Sequence, residues 1–251
     1  MAFRIQAIAR TDQGKVRANN EDSFCDRGED GLWAVADGMG GHENGEWASA
    51  EVAQAMAQVH LPARFEDACQ IIASALHHAN ARIWSEATDR SIQMGSTAVA
   101  LFLRDHRFAV FWVGDSRAYL LRDGTLHRLT RDHTQVQELI DRGLLGEAGA
   151  EGHPMAHVLA RAVGVEASVE VDVITDEAMG GDVFLLCSDG LTGPVADGAI
   201  AETLASGDHV GAADRLVRQA LDRGAPDNVT LVIVALDETT LLSLPQTGGE
   251  Q

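Results

Sequence analysis

Cysteine, proline and tyrosine are scarce in this chain, at 3, 5 and 1 of 251 residues. The three cysteines, Cys25, Cys69 and Cys187, are odd in number, far apart and free of any CxxC pair. That pattern excludes a disulfide framework and a cysteine-built zinc site. Positive charge is also short, with 19 Lys and Arg against 38 Asp and Glu and a formal charge of -19. Such a surface repels phosphate backbones and anionic lipid, so neither nucleic acid nor a membrane surface is an expected partner. No run reaches the roughly 18 apolar residues of a membrane span. The opening "MAFRIQAIARTDQGK" lacks the apolar core of a secretory signal. The expectation is a reduced, soluble, cytoplasmic protein.

What is abundant is apolar side chain, 45% of the residues, enough for a sizeable core. Runs rich in β-branched and aromatic residues predict strands at 3–9, 31–36, 96–103, 107–113, 117–121, 125–129, 169–175, 183–187 and 229–236. Helical spacing predicts helices over about 45–60, 66–87, 134–142, 197–205 and 209–223. Helices thus come in pairs after groups of strands, which favours an antiparallel α+β layering over a doubly wound parallel sheet. The reading is one domain over residues 1–242 and a frayed tail over 243–251. The Gly- and Ala-rich stretch 143–164 reads as a long surface loop between strand groups.

Acids recur at the ends of the apolar runs. "LWAVADGMGGH" ends on Asp37-Gly38, "VFLLCSDGL" on Asp189-Gly190, and "FAVFWVGDSR" reaches Asp115. Asp227 precedes "NVTLVIVAL", and Glu21 and Asp22 stand at the mouth of a short strand in "RANNEDSF". Asp-Gly is also the favoured hairpin dipeptide, and Asp123-Gly124 in "YLLRDGTLHRL" is read as a turn and nothing more. The pairs at 37 and 189 differ, because no returning strand follows either. Carboxylates gathered at one end of a sheet repel unless protonated or bridged by cations. Mg²⁺ and Mn²⁺ favour such oxygen ligands, and two ions about 3.5–4 Å apart support in-line hydrolysis of a phosphate ester. A guanidinium reads phosphate geometry with paired bonds, and Arg17, four residues before Glu21, is the candidate.

"VRANNEDSF", "AVADGMGGH", "MGSTAVALFL", "VGDSRAYLLRDG", "LTRDHT", "LLCSDGLTG" and "PDNVTLVIVAL" occur in that order over nearly the whole chain. Together they resemble the metal-dependent protein phosphatase family, the protein phosphatase 2C type, in its compact bacterial form. The resemblance implies a four-layer α-β-β-α sandwich, two antiparallel sheets flanked by helix pairs. It implies a monomeric serine/threonine phosphatase with two Mn²⁺ or Mg²⁺ ions and a third, weaker metal site. Asp37 matches the acid bridging the two metals, Gly38 a backbone-carbonyl ligand, and Asp189 and Asp227 the remaining direct ligands. Glu21 matches an acid acting through metal-bound water, Asp115 the acid of the third site, and Arg17 the phosphate-binding arginine. Asn228 has two readings, an orienting role in the Asp227 loop or a plain turn residue. Residues 143–164 resemble the family's variable flap. Many relatives carry a histidine two residues after the bridging acid as proposed general acid; Met39 stands there, and His42 is the substitute candidate. Partners implied are phosphorylated proteins, namely a bacterial Ser/Thr kinase and its substrates, forkhead-associated proteins included.

Two rival readings fit the residues less well. A cysteine phosphatase needs Arg six residues beyond its nucleophile, but Gly31, Ala75 and Gly193 occupy those places. A catalytically silent phosphatase-fold domain that binds or regulates a phosphoprotein would be expected to lose metal acids, and none is lost.

Overall fold

The computed structural model describes residues 3–41, 43–146, 149 and 153–238. Its elements follow as β1 (Phe3–Asp12), β2 (Asp22–Arg27), β3 (Leu32–Met39), α1 (Glu43–Gln58), α2 (Phe65–Arg90), β4 (Gly95–Ser96), β5 (Ala98–Arg104) and β6 (Arg107–Val113). Then come β7 (Arg117–Arg122), β8 (Thr125–Arg128), α3 (Gln135–Asp141), β9 (Asp172–Glu177), β10 (Val183–Cys187), α4 (Asp189–Thr192), α5 (Asp197–Leu204), α6 (His209–Asp222) and β11 (Val229–Glu238).

Side-chain alternation builds the layers. Along β3, Leu32, Ala34 and Ala36 face the α1–α2 pair, while Trp33 and Val35 face the opposite sheet. Along β10, Val183, Leu185 and Cys187 face α5 and α6, while Phe184 and Leu186 turn inward. Both faces of the central strands are therefore covered, so they read as unbroken apolar runs rather than alternating ones. One sheet has the order β1-β11-β10-β7-β8, the other β2-β3-β5-β6-β9 with β4 added to β3. Among the described residues these strands pair antiparallel throughout. The four-layer α-β-β-α expectation holds.

The hairpin read at Asp123-Gly124 is present between β7 and β8, with φ of 50° and 74° at its two turn residues, the signature of a type I′ turn. Some elements differ from expectation. The strand predicted at 169–175 lies at Asp172–Glu177, because Val169 and Val171 pack into the helix-side core before pairing begins. On this edge strand, bonded to β6 alone, Val173 is left exposed. The short helix α4 was not expected; Asp189 opens it directly after β10 rather than ending a strand into a loop. In the stretch 143–164, the described residues form isolated bridges, Thr134 with Leu159 and Ser96 with Val163. The tail 243–251 lies outside the described residues, as do parts of that stretch. Among the described residues no helix is long and apolar enough to cross a membrane.

Candidate active site

Five separate chain segments deliver acids to one end of the sandwich. The β1–β2 connection carries Arg17 and Glu21, β3 ends with Asp37 and Gly38, and the β6–β7 turn holds Asp115. Asp189 starts α4, and Asp227 with Asn228 immediately precedes β11. All eight residues line one cleft of about 450 Å³, shared with Met39, Gly40, Thr97, His157 and Leu159. His42 lies outside the described residues, while Met39 does line the cleft.

Backbone bonding explains why these segments meet. The Asp37 amide donates to Thr97 Oγ1 at 3.0 Å, and the Asp37 carbonyl accepts from the Thr97 amide at 2.8 Å and the Ser96 hydroxyl at 3.0 Å. The Gly38 amide donates to the Glu21 carbonyl at 3.0 Å, fixing the N-terminal segment on the end of β3. A side chain at Gly38 would overlap the Gly45 carbonyl of α1 and come within 2.7 Å of the Glu21 carbonyl, so only glycine fits. Gly190 is similarly constrained: a Cβ there would overlap the Asn228 carbonyl. This close approach sets Asp189 beside the Asp227 turn.

Asn228 fastens the last piece. Its Nδ2 donates to the Gln13 carbonyl at 2.8 Å and the Asn19 carbonyl at 2.9 Å, and its Oδ1 accepts from the Glu21 amide at 2.8 Å. The orienting role is thus larger than the sequence reading of one turn: Asn228, 4% exposed, ties the Arg17–Glu21 loop to the Asp227 segment.

The electrostatics are those of crowded like charges. Burial, then Asp22, Asp189, Asp115 and Asp227, hold the Asp37 carboxyl well above the usual carboxylate range. Asp37 keeps an open face to the cleft, but protein surrounds it at longer range. Asp115 is pushed up to about 7 by burial and then by Asp189. Asp22, paired across the ladder with Asp37, is also raised to about 7 by burial, with Asp189 and Asp227 adding to it. Its Oδ2 accepts from the Ser188 hydroxyl at 2.8 Å, while its buried Oδ1 has no hydrogen-bond partner. Opposing charge comes from the rim. Arg17 Nη2 lies 2.6 Å from Asp227 Oδ2, and this bond raises the guanidinium above its ordinary value. His157 Nδ1 lies 3.6 Å from Asp189 Oδ2, and that contact raises the imidazole.

Among the described residues no three His, Cys, Asp or Glu side chains form an assembled ligand set. The donors nonetheless suit a hard divalent cation: all are oxygen, they repel one another, and a buried carboxylate oxygen beside them is unpaired. Thr97, His157 and Leu159 of the cleft lining, and Ser188, which donates to Asp22, escape sequence reading as site residues, while Asp22 is read only as an acid at a strand mouth. Thr97 and Ser188 left a faint trace, as polar positions interrupting apolar runs in "MGSTAV" and "LLCSDG". His157 left none, and Leu159 reads as an ordinary apolar residue. The thiols play no part: burial pushes Cys25 and Cys69 up to about 11 and Cys187 up to about 12.

Fold and cleft define a class, a helix-flanked two-sheet sandwich with a carboxylate-lined, cation-seeking centre at one end. Comparison with known proteins narrows it. Residues 7–139 match the family "Protein phosphatase 2C". The serine/threonine protein phosphatase PstP of Mycobacterium tuberculosis is 40% identical over 231 residues, covering 91% of this chain. This chain spans only 44% of the length of that relative. The serine/threonine phosphatase stp of Listeria monocytogenes is 35% identical, covering 94% of this chain and 97% of its own length. A solved PstP catalytic domain, in complex with two manganese ions, is similar with a TM-score of 0.84 and 38% identity, covering 94% of this chain and all of that one. The chain belongs to the protein phosphatase 2C family.

Proposed function

We propose that this protein is a metal-dependent protein serine/threonine phosphatase that hydrolyses phosphoserine and phosphothreonine. The observation that carries the reading is the convergence of Asp37, Asp115, Asp189, Asp227 and Glu21 from five chain segments on one cleft with Arg17 at its mouth. Asp37, the Gly38 carbonyl, Asp189 and Asp227 would hold two Mn²⁺ or Mg²⁺ ions, with Glu21 acting through water and Asp115 serving a third, weaker site. Bound there, the ions supply neutralisation of phosphoryl charge and a water made nucleophilic near neutral pH.

The chain's own groups do the rest. Arg17 exchanges its bond to Asp227 for phosphoryl oxygens, since both are anionic partners of one guanidinium. Asn228 keeps the Arg17 loop and the Asp227 turn in fixed relation, so phosphate and acids stay aligned for in-line attack. The departing serine or threonine oxygen needs a proton, and His42 is the donor proposed from sequence. The biological reading is signal transduction in the cytoplasm. A monomeric enzyme there reverses a bacterial Ser/Thr kinase, acting on the kinase itself and on its substrates, including forkhead-associated proteins.

The test is phosphate release from a phosphothreonine peptide in Mn²⁺, then in EDTA. The proposal expects turnover only with metal and its loss by orders of magnitude in Asp37→Asn. Peptide binding without turnover in Mn²⁺ would favour the silent-domain reading instead.

A further inference from the structure

A second depression opens beside the catalytic cleft, with a volume of about 570 Å³ against the cleft's 450 Å³. It is lined by Trp84, Ala87 and Thr88 of α2, by Ile92 and Met94 just beyond that helix, and by Val165. None of its lining residues is charged, in a chain where 23% are. Trp84 is 37% exposed and Val165 45%, so apolar surface here is open to solvent. Met39 and Gly40 line both this groove and the catalytic cleft, so the two are continuous. Met39 follows Asp37 by two residues on the same strand, a separation of about 7 Å.

We propose that this groove receives an apolar side chain of the phosphoprotein substrate, two to four residues from the phosphorylated one. The inference rests on the phosphatase reading above and adds a rule of substrate choice. An extended peptide advances about 3.3–3.6 Å per residue, so a chain whose phosphate sits among the acids reaches the groove within that interval. Among the described residues, the two other hollows that adjoin the cleft carry charge: one, sharing Met39 and Leu159 with it, is lined by Arg161, Glu166 and Glu170, and the other, beside Asp115 and Asp189, by Arg117, Arg128 and Asp132. A protein of net charge -19 repels acidic flanking residues, and the groove has no cation to offset that. An apolar flank is free of this repulsion and gains by burial against Trp84, Met94 and Val165.

The experiment compares p-nitrophenyl phosphate with phosphothreonine peptides in Mn²⁺. The peptides carry Leu, Ser, Asp or Lys at each position two to four residues to either side. Expected is at least about a tenfold higher kcat/KM for Leu over Ser at one of these positions, with Asp the poorest. Within Val165→Asp the Leu-to-Ser ratio should fall towards one and the Lys peptide should gain. Thr88→Asp, on the exposed face of α2, provides a second variant with the same expected change. Because each ratio is taken within one protein, a general loss of activity does not mimic the effect. Turnover of all peptides without preference, or a Leu preference untouched by both variants, would overturn the docking proposal alone. No turnover of any phosphate would overturn the phosphatase reading and the docking with it. Self-association of the unaltered protein that Val165→Asp abolishes, without a peptide preference, would give the groove to a second copy and also overturn the proposal.

Discussion

Replacing Asp37 by Asn should act in opposite directions with and without metal. Carrying a buried carboxylate from 3.8 to about 7, as at Asp22 and Asp115, corresponds to roughly 4 kcal/mol for each acid held ionised at pH 8. Burial and four neighbouring acids raise Asp37 in the same direction, so holding its charge also destabilises the metal-free fold. Asn removes the charge but leaves an amide to be desolvated, a penalty of about 1–3 kcal/mol. The expected net effect without metal is a gain in stability at pH 8, with Tm rising by about 2–4 °C for each kcal/mol gained. The sign follows from proton binding. With pKa values raised in the fold, the folded chain binds more protons than the unfolded one between about pH 4 and 7. Metal-free stability therefore falls as pH rises through that window, and less steeply in Asp37→Asn. Saturating Mn²⁺, at 100 times its Kd, should raise the unaltered protein by about 2.7 kcal/mol per site, while the variant gains far less. Differential scanning fluorimetry in EDTA and in Mn²⁺, at pH 5 and pH 8, measures all four conditions. A variant less stable than the parent in EDTA at pH 8, or equal Mn²⁺ gains in both, would refute the reasoning.

On the proposed reading of Arg17 as the phosphate-binding group, Arg17→Ala should raise KM for phosphopeptide severalfold with a smaller fall in kcat, as expected for a group serving ground and transition states alike; steady-state kinetics checks it, and an unchanged KM would remove the role. Asn228→Ala deletes three buried hydrogen bonds spanning two chain segments, so a stability loss of about 2–4 kcal/mol is expected in chemical denaturation, together with weaker Mn²⁺ binding by calorimetry. Gly38→Ala forces a methyl into the Gly45 carbonyl and should cost about 1–3 kcal/mol or more through overpacking. A Gly38→Ala protein with parental Tm would show that α1 shifts freely away from the site.

Layering was legible because burial on both faces leaves a visible mark. β10, and β5 up to its last residue Arg104, are apolar at every position, and helices α2 and α6 show their 3.6-residue stripe. The edge strand β9 was misplaced because edge burial is weak: Val169 and Val171 look like strand residues but serve the helix-side core. Acids at strand ends were legible one at a time, as carboxylates interrupting apolar runs. Their convergence was legible only through the family resemblance, since physically it depends on the Asp22–Asp37 ladder pairing and on the Gly190–Asn228 contact, which residue patterning does not encode. Asn228 illustrates the limit: read from sequence as either orienting the Asp227 loop or a plain turn residue, it bonds Gln13, Asn19 and Glu21, all over 200 positions away. His157 reaches the cleft through the backbone course of a loop, which side-chain patterning does not encode.

The account depends most on cations gathering where the acids do. Diffraction from crystals grown in Mn²⁺, recorded at the manganese absorption edge, locates the ions without reference to activity. Two anomalous peaks in the cleft, contacting Asp37, Asp189, Asp227 and the Gly38 carbonyl, are the predicted result. A cleft without peaks at millimolar Mn²⁺, or peaks confined to surface acids elsewhere, would contradict it.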